Sequence, residues 1–297
     1  MLWDYLKKTD ARKNLASNAL KGMSGILKTV CDVVGEGPRF LDFMRIAHLD
    51  FVHRKDDIFI VTYPRSGTTW MQMILYQLTT GGSMDFDHIS QKAPFFERLI
   101  AIGAVDASDF EKLPSPRIFK SHLNYTQIPK GPGRYIYVIR NVFDVAVSYY
   151  HFYRSHLGFT GDFDAFFERF MKGDVQNGSW FDHVTGWKAR RHDKNILIVT
   201  YEDLKDNLEN GVKTIAAFLD IDLKKKDMER ILERSAFSFM KSHEAKFDHI
   251  TGMIWEKGYK KNTFLRKGKT GEGKSLLSPS QKLLLEKRLK DYNLPTI

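Results

Sequence analysis

The sequence predicts an α/β fold, with a central and mainly parallel sheet flanked by helices. Four short apolar runs of strand length alternate with longer segments of helical periodicity. The runs are nearly continuous in Val, Ile, Phe and Tyr, as buried parallel strands tend to be. Alternating strands and helices favour a sheet that is covered on both faces, in which ligands bind beyond the carboxyl ends of the strands.

The predicted elements follow one another along the chain from residue 57. Strands are expected at residues 57–63, 117–122, 134–140 and 195–201. Helices are expected near residues 68–80, 142–155, 181–191, 205–218, 225–234 and 279–291. The last helix carries a start signal, because Ser278 can cap it and Pro279 suits its first turn.

Length and composition fit a single main domain with an N-terminal extension. The chain has 297 residues, of which 42% are hydrophobic, and Cys31 is its one cysteine, which excludes an internal disulfide and a cysteine-rich zinc site. Apolar residues at helical spacing over 17–34 predict a helical extension at residues 1–40, followed by the main domain at 41–297. The sequence contains neither a signal-peptide pattern nor an apolar run long enough to span a membrane, so a soluble protein of the cytoplasm is expected.

Positive charge is the compositional feature that bears most on function. The chain carries 46 Lys and Arg against 36 Asp and Glu, a formal net charge of +10. Such a balance suits nucleic acid, an anionic membrane surface or a small substrate with several phosphates. The excess is concentrated between residues 257 and 290, which favours one small polyanion over a long nucleic acid.

The strongest motif follows the first predicted strand, at residues 62–69, TYPRSGTT. Gly67 lets the backbone turn closely before a helix, and the hydroxyl and N–H groups beside it form an anion site. Compared with the nucleotide-binding pattern GxxxxGK[ST], the segment keeps Gly67 and Thr69 but has Thr68 in place of lysine, and its positive charge lies at Arg65. The motif predicts a P-loop-like core without the arrangement of an ATPase; a helix simply capped by Ser and Thr is the alternative.

The second predicted strand ends in Lys120 and His122. Residues i and i+2 of a strand share a face, so both side chains can point into one cleft. A neutral imidazole there could take a proton from a hydroxyl, while the ammonium stabilises negative charge on a leaving group. The chain has ten histidines, however, and a surface or core role is the alternative for any one of them.

Two further segments could bind anions. Arg140 ends the third predicted strand and Ser148 lies two turns into the next helix, so the pair could hold a second anionic group; an ordinary helix hydroxyl is the alternative for Ser148. Asp144 is expected to complement the helix dipole. Residues 264–274, FLRKGKTGEGK, form a basic, glycine-rich segment that could wrap a phosphate, unless it is only a solvated charge run.

In this order the segments resemble the soluble sulfotransferases, which use 3′-phosphoadenosine 5′-phosphosulfate as donor. TYPRSGTTW is similar to the family's 5′-phosphosulfate loop, RNVFDVAVSYYHFY to its 3′-phosphate segment, and FLRKGKTGEGK to its RKGxxGDWK loop. KSHL corresponds to the segment with the catalytic histidine, NGSW to a recurring structural patch, and VTYEDL to a stretch whose tyrosine contacts adenine. The resemblance covers roughly residues 40–275.

The resemblance implies transfer of a sulfonate group to a hydroxyl or amine without a metal. His122 would be the general base, Lys120 would stabilise the leaving phosphate, and Arg65 would assist as a hydrogen-bond donor. Donor contacts are implied at Arg65, Ser66, Gly67, Thr68, Thr69, Trp70, Arg140, Ser148, Tyr201, Ser235, Phe237, Leu265, Arg266, Lys267 and Gly268. An apolar or aromatic small-molecule acceptor is expected, because positions that line acceptor pockets in similar enzymes correspond to Phe95, Phe96, His151 and Phe152; plain core packing is the alternative for these aromatic residues.

The chain departs from the family pattern in places. Arg65 stands where animal members commonly have Lys, and a guanidinium does not readily give up a proton. Gly273 replaces the Trp of GDWK, which predicts a more mobile loop and weaker donor binding. The family's dimer motif, KxxxTVxxxE, is not preserved across residues 274–283, which leaves the oligomeric state open, and Met253 and Trp255 are expected in a lid.

Two alternatives come from other protein classes. A P-loop kinase would need Mg²⁺, and Glu202 and Asp203 could supply its acidic ligand, but the missing P-loop lysine counts against it. A non-catalytic nucleic-acid or nucleotide-binding protein would bind with steep salt dependence. We expect a small-molecule acceptor as partner, with neither nucleic acid nor stable membrane association.

Overall fold

A computed structural model describes residues 51–101, 107–248 and 263–295 of the chain. The predicted N-terminal extension at residues 1–40 and the lid residues Met253 and Trp255 lie outside the described residues, so both stay predictions. Within the described ranges, none of the helices is long and apolar enough to cross a membrane.

Four parallel strands form the sheet, in the order β2-β1-β3-β4. Their bounds are β1 Ile58–Thr62, β2 Ile118–Ser121, β3 Arg134–Ile139 and β4 Ile196–Thr200. The predicted parallel sheet is therefore confirmed, with each strand one or two residues shorter than expected. Ile58 is paired with Ile118 on one side and with Arg134 on the other, which places β1 between β2 and β3. Because the chain leaves β1 to one side and returns on the other, the carboxyl end of β1 is a topological switch point, where ligands bind in open α/β sheets.

Twelve α-helices occur in the described part of the chain. They are α1 Thr68–Thr79, α2 Phe96–Ala101, α3 Ala107–Glu111, α4 Val142–His156, α5 Phe163–Lys172, α6 Trp180–Lys188, α7 Tyr201–Asp206, α8 Leu208–Phe218, α9 Lys225–Arg234, α10 Phe237–Ser242, α11 Gly273–Leu276 and α12 Pro279–Asp291. The helix predicted at 205–218 is two helices, because the side chain of Asn207 accepts a hydrogen bond from Asn210 N and starts α8 anew. The start of α12 is as predicted: Ser278 Oγ accepts from Gln281 N, and Gln281 Oε1 accepts from Ser278 N.

The side chains of β1 alternate between two hydrophobic cores. Phe59 and Val61 are fully buried in a core that includes residues of α4, α5, α6 and α12. Ile58 and Ile60 face the other core, which includes residues of α1, α7, α8 and α9. The sheet is thus covered on both faces, as its nearly continuous apolar strands predict. The helices that follow β1 and β3 lie on opposite faces, and both begin at the same edge of the sheet.

Candidate active site

The loop between β1 and α1 forms one wall of the site. Arg65 and Gly67 both have left-handed backbone conformations, with φ of 69° and 93°. A Cβ atom on Gly67 would lie 2.7 Å from Cδ2 of the Tyr201 ring, so both the turn and this close approach require glycine. No side chain caps α1, which excludes the alternative of a helix simply capped by Ser or Thr. The first N–H groups of α1 have no acceptor within the helix and form an anion site at its positive end.

A cavity of about 380 Å³ opens at this edge of the sheet. It brings together segments that are far apart in the sequence, including the β1–α1 loop, the end of β2, Arg140 after β3, the middle of α4 and the glycine-rich loop at 264–274. Most of the residues implied by the resemblance line it: Arg65, Gly67, Thr68, Thr69, Trp70, Phe95, Lys120, His122, Arg140, Ser148, Phe152, Tyr201, Ser235, Phe237, Leu265, Arg266, Lys267 and Gly268.

Three of the expected residues do not line the cavity. Ser66 is fully buried beneath the loop. Phe96 is fully buried in the core, where its ring stacks on Phe110 with 5.3 Å between centroids. His151 lies beside the ring of Tyr150, and burial lowers its pKa. Of the two adjacent phenylalanines, therefore, only Phe95 faces the cavity, because Phe96 begins α2 and points into the protein.

His122 is held in one tautomer. Its Nδ1–H donates to the Thr62 carbonyl oxygen at 2.8 Å, a tautomer assigned from the hydrogen-bond network. Nε2 is then the nitrogen that carries the lone pair. Burial, followed by the positive charge of Lys120, lowers the pKa of His122 well below 6.5. At neutral pH the imidazole is therefore neutral, which is the form that a general base requires.

Lys120 lies in the same cavity as His122, as their i, i+2 spacing predicts. Its Nζ is 4.5 Å from the centroid of the Phe95 ring, and the Phe95 ring also meets the His122 ring edge-on at 5.1 Å. One aromatic side chain thus packs against both groups and gives this end of the cavity an apolar wall.

Arg65 crosses the cavity between two aromatic rings. Its guanidinium carbon lies 5.2 Å from the Phe152 centroid and 4.9 Å from the Phe264 centroid. Nε donates to Ser148 Oγ at 3.2 Å and Nη2 donates to the Phe264 carbonyl oxygen at 3.1 Å. Burial, and then the charges of Arg140 and Arg266, lower the pKa of Arg65 to about 10. It remains protonated at neutral pH and acts as a donor of hydrogen bonds and of positive charge.

Arg140 joins the β1–α1 loop to the glycine-rich loop. Its Nη1 donates to Arg65 O at 2.9 Å and its Nη2 donates to Lys269 O at 3.0 Å. The guanidinium carbon lies 4.4 Å from the Tyr201 ring centroid. Trp70 meets the same ring edge-on at 5.3 Å, so Arg140, Trp70 and Tyr201 form one packed corner of the cavity.

Asp144 anchors the glycine-rich loop, a role that sequence reasoning missed. Its side chain is buried, and its two carboxylate oxygens accept hydrogen bonds from Gly271 N and Gly273 N, each at 2.8 Å. A Cβ atom on Gly273 would lie 2.5 Å from the carbonyl carbon of Phe143. Glycine at position 273 allows the loop to reach the start of α4, where Asp144 holds its main chain in the absence of the family's Trp. The greater mobility of the loop and the weaker donor binding stay predictions.

Replacing Gly273 by alanine is expected to weaken nucleotide binding about fivefold, because the new methyl group would push the loop away from Asp144 and a lost hydrogen bond contributes roughly 1 kcal/mol. The matched control is Gly186→Ala in α6, where the nearest atom to a new Cβ is 4.0 Å away. Calorimetric titration with adenosine 3′,5′-bisphosphate measures the effect. Equal nucleotide affinities for the two variants would contradict the role of Asp144 as the anchor of this loop.

Three buried polar atoms of residues that line the cavity fit an anionic ligand. Arg140 Nε, Ser235 Oγ and Arg266 Nε have no hydrogen-bond partner within the described residues. Buried polar groups are normally paired, and all three atoms can donate a hydrogen bond. Their number and chemistry suit the oxygens of a molecule that carries several phosphates or a sulfate.

Glu272 and Glu202, near the cavity, are paired with its cations and with the main chain, respectively. Glu272 binds Arg266 and Lys267; burial opposes its ionisation, but the hydrogen bonds from these two cations prevail and lower its pKa to about 2. Glu202 Oε1 accepts from Asn141 N at 3.1 Å. Asp203 lies in the first turn of α7. The lining as a whole is strongly cationic.

The sulfotransferase domain family matches residues 55–291. The chain belongs to the sulfotransferase family. It is therefore an enzyme that transfers sulfate, and it has the family's α/β fold. The family uses 3′-phosphoadenosine 5′-phosphosulfate (PAPS) as donor, which accounts for the P-loop-like turn without a lysine and disfavours the kinase and nucleic-acid alternatives.

Curated sulfotransferases are similar to most of the chain. It is 35% identical to Sulfotransferase 1B1 of Canis lupus familiaris over 242 residues, covering 78% of this chain and 81% of the relative. It is 34% identical to the Amine sulfotransferase of Oryctolagus cuniculus over 263 residues, covering 84% and 85%. Among solved structures, mouse sulfotransferase SULT7A1 complexed with PAP matches with a TM-score of 0.67 and 30% identity, covering 84% of this chain and 87% of that one.

Proposed function

We propose that this sulfotransferase moves a sulfonate group from PAPS to a hydroxyl or amine of a small, apolar or aromatic acceptor. His122 is the general base and Lys120 stabilises the leaving phosphate. The observation that carries the proposal is the neutral, single-tautomer imidazole of His122 beside Lys120, in a cavity whose other polar groups are cationic.

The proposed reaction is one displacement at sulfur. His122 Nε2 takes the proton of the acceptor as the acceptor oxygen or nitrogen forms its bond to sulfur. The bond between sulfur and the 5′-phosphate oxygen breaks, and its electron pair leaves with adenosine 3′,5′-bisphosphate. Lys120 and Arg65 are the cations that can stabilise this oxygen, because stabilisation of developing charge by fixed donors is usually the largest catalytic contribution.

The donor is proposed to lie along the cationic side of the cavity. Its 5′ end binds the N–H groups of the loop at residues 65–70. Arg140, Ser148 and the segment 266–268 bind the 3′-phosphate. The adenine lies near Tyr201, Phe237 and Trp70. The unpaired donor atoms Arg140 Nε and Arg266 Nε support this assignment.

The acceptor is proposed to bind between Phe95 and Phe152, next to His122. Both rings line the cavity, and Phe152 also packs against the guanidinium of Arg65. Arg98, Gln176 and Asn177 line the cavity as well, which sequence reasoning missed, and they give the acceptor region polar groups beside its rings. Such a lining fits a phenol or an aromatic amine, because each is apolar except for one polar group.

Transfer is expected to proceed unchanged when a chelator is present, because the side-chain cations of the cavity can do what Mg²⁺ does in kinases. The experiment compares the rate of transfer from labelled PAPS to 2-naphthol with and without EDTA, and with added Mg²⁺. Loss of activity in EDTA that Mg²⁺ restores would contradict metal-independent transfer. A cytoplasmic location stays a prediction.

A further inference from the structure

The main chain of His122 is held at both of its polar groups by side chains. β2 ends at Ser121, so His122 is the first residue beyond the strand. Its N–H donates to Glu97 Oε1 at 2.6 Å. Its carbonyl oxygen accepts from Nε2 of His183 at 3.2 Å, and His183 is in turn fixed by the Tyr137 hydroxyl, 2.8 Å from its Nδ1. The main chain of the residue that carries the proposed base is therefore fixed by hydrogen bonds on two sides.

Glu97 reaches His122 because the chain before α2 runs along the end of β2. Lys120 N donates to Pro94 O at 2.8 Å, and Phe95 and Lys120 form an isolated parallel bridge. This pairing places the first turn of α2 opposite the end of β2. The Glu97 carboxylate then meets the N–H of His122 two residues after the bridge.

A carboxyl group in this place is unfavourable for stability. Burial raises the pKa of Glu97 to about 7, against the hydrogen bond from the His122 N–H. Its Oε2 is buried and has no hydrogen-bond partner within the described residues. Burying an ionisable group costs free energy, and proteins tolerate such costs mainly at functional sites.

We propose that Glu97 is a positioning residue for sulfonate transfer, acting by accepting the His122 N–H and so fixing the imidazole against Thr62. The inference rests on the proposed role of His122 as base. With the main chain fixed by Glu97 and His183, Nδ1 keeps its hydrogen bond to Thr62 and Nε2 keeps its direction. Without Glu97, the end of β2 can shift and the base loses its alignment with the acceptor.

The test compares Glu97→Leu, which cannot accept a hydrogen bond, with Glu97→Gln, whose amide oxygen can. We expect kcat for transfer to 2-naphthol to fall about 100-fold in Glu97→Leu, because a displacement of about 1 Å at a reacting group has an effect of that size. Glu97→Gln should retain most of the wild-type kcat. The dissociation constant for adenosine 3′,5′-bisphosphate should stay unchanged in both variants, because Glu97 lines no part of the proposed donor site.

Leu99→Ala is the control for a loss of stability in the same helix. Leu99 is buried in the core, so this variant should lower the melting temperature without lowering kcat. The amide exchange rate of His122, measured by NMR, reports on its hydrogen bond to Glu97 and does not depend on catalytic turnover. We expect it to rise at least about tenfold in Glu97→Leu relative to the other β2 amides, in line with the loss of one hydrogen bond, and to stay slow in Glu97→Gln.

The outcomes separate this inference from the proposed function. An undiminished kcat in Glu97→Leu, an equal loss in Glu97→Gln, or unchanged exchange of the His122 amide would each overturn the positioning role while leaving His122 as the base. If His122→Ala retained the wild-type kcat, the proposed role of His122 as general base would fall, and the role of Glu97 with it.

Discussion

Replacing His122 by alanine is expected to lower kcat by about 10²- to 10⁴-fold, the range that a positioned general base contributes. The imidazole is neutral because burial and Lys120 lower its pKa, and its Nδ1–H is held by Thr62 O, so removal of the ring leaves no comparable base at this place. Binding of adenosine 3′,5′-bisphosphate should persist, because the cations that we propose to bind its phosphates are untouched.

The matched control for this variant is His192→Ala. His192 is exposed, outside the cavity, in the turn before β4. Single-turnover transfer from labelled PAPS measures the chemical step, and calorimetry measures nucleotide affinity. Retained turnover in His122→Ala would overturn the proposed base, and a joint loss of turnover and nucleotide binding would show that the residue acts through the structure of the site.

Replacing Arg140 by alanine is expected to weaken binding of adenosine 3′,5′-bisphosphate by about 10- to 150-fold, because a hydrogen bond to a charged group contributes roughly 1.5–3 kcal/mol. The side chain is nearly fully buried, and its Nε has no partner within the described residues. Its other two nitrogens hold Arg65 O and Lys269 O, so the variant also loosens the two loops that form the donor site.

Arg134→Ala is the control for Arg140→Ala, since it removes an arginine from the other end of the same strand. Arg134 is half-exposed and pairs with Asp220 at the surface, where an ion pair contributes little. The nucleotide affinity of Arg134→Ala should equal that of the wild type. Unchanged affinity in Arg140→Ala would contradict the assignment of this arginine to the donor site.

The sheet and the segments that line the cavity could be predicted because their signals are local. Runs of β-branched and aromatic residues mark the four strands, and the residues after each run lie at one edge of a parallel sheet by geometry alone. The capping residues before Pro279 mark α12 in the same way. The helices α2, α3, α5, α10 and α11 were missed, because helices of four to ten residues depend on tertiary packing more than on periodicity.

The supporting residues of the site could not be predicted, because their partners are distant in the sequence. Asp144 binds the main chain of Gly271 and Gly273, well over a hundred residues away. Glu97 binds His122 across 25 residues. When the partner is a main-chain N–H group, the type of the partner residue carries no information about the contact. Such a contact therefore cannot be predicted from a sequence motif.

The lining of the proposed acceptor region also could not be predicted in full, even for residues that are neighbours in the sequence. Phe95 and Phe96 are neighbours of identical type, and only the start of α2 decides which of them faces the cavity. Arg98, Gln176 and Asn177 join them through the fold, and nothing in their spacing sets them apart from other polar residues.

The most direct test of the account is a screen of acceptors with labelled PAPS, in which phenols, aliphatic alcohols and aromatic amines are compared under identical conditions. We expect label to appear on an aromatic or apolar hydroxyl or amine, with one adenosine 3′,5′-bisphosphate released for each product. Transfer of label only to strongly polar or macromolecular acceptors, by a protein that still binds the nucleotide, would contradict the proposed function.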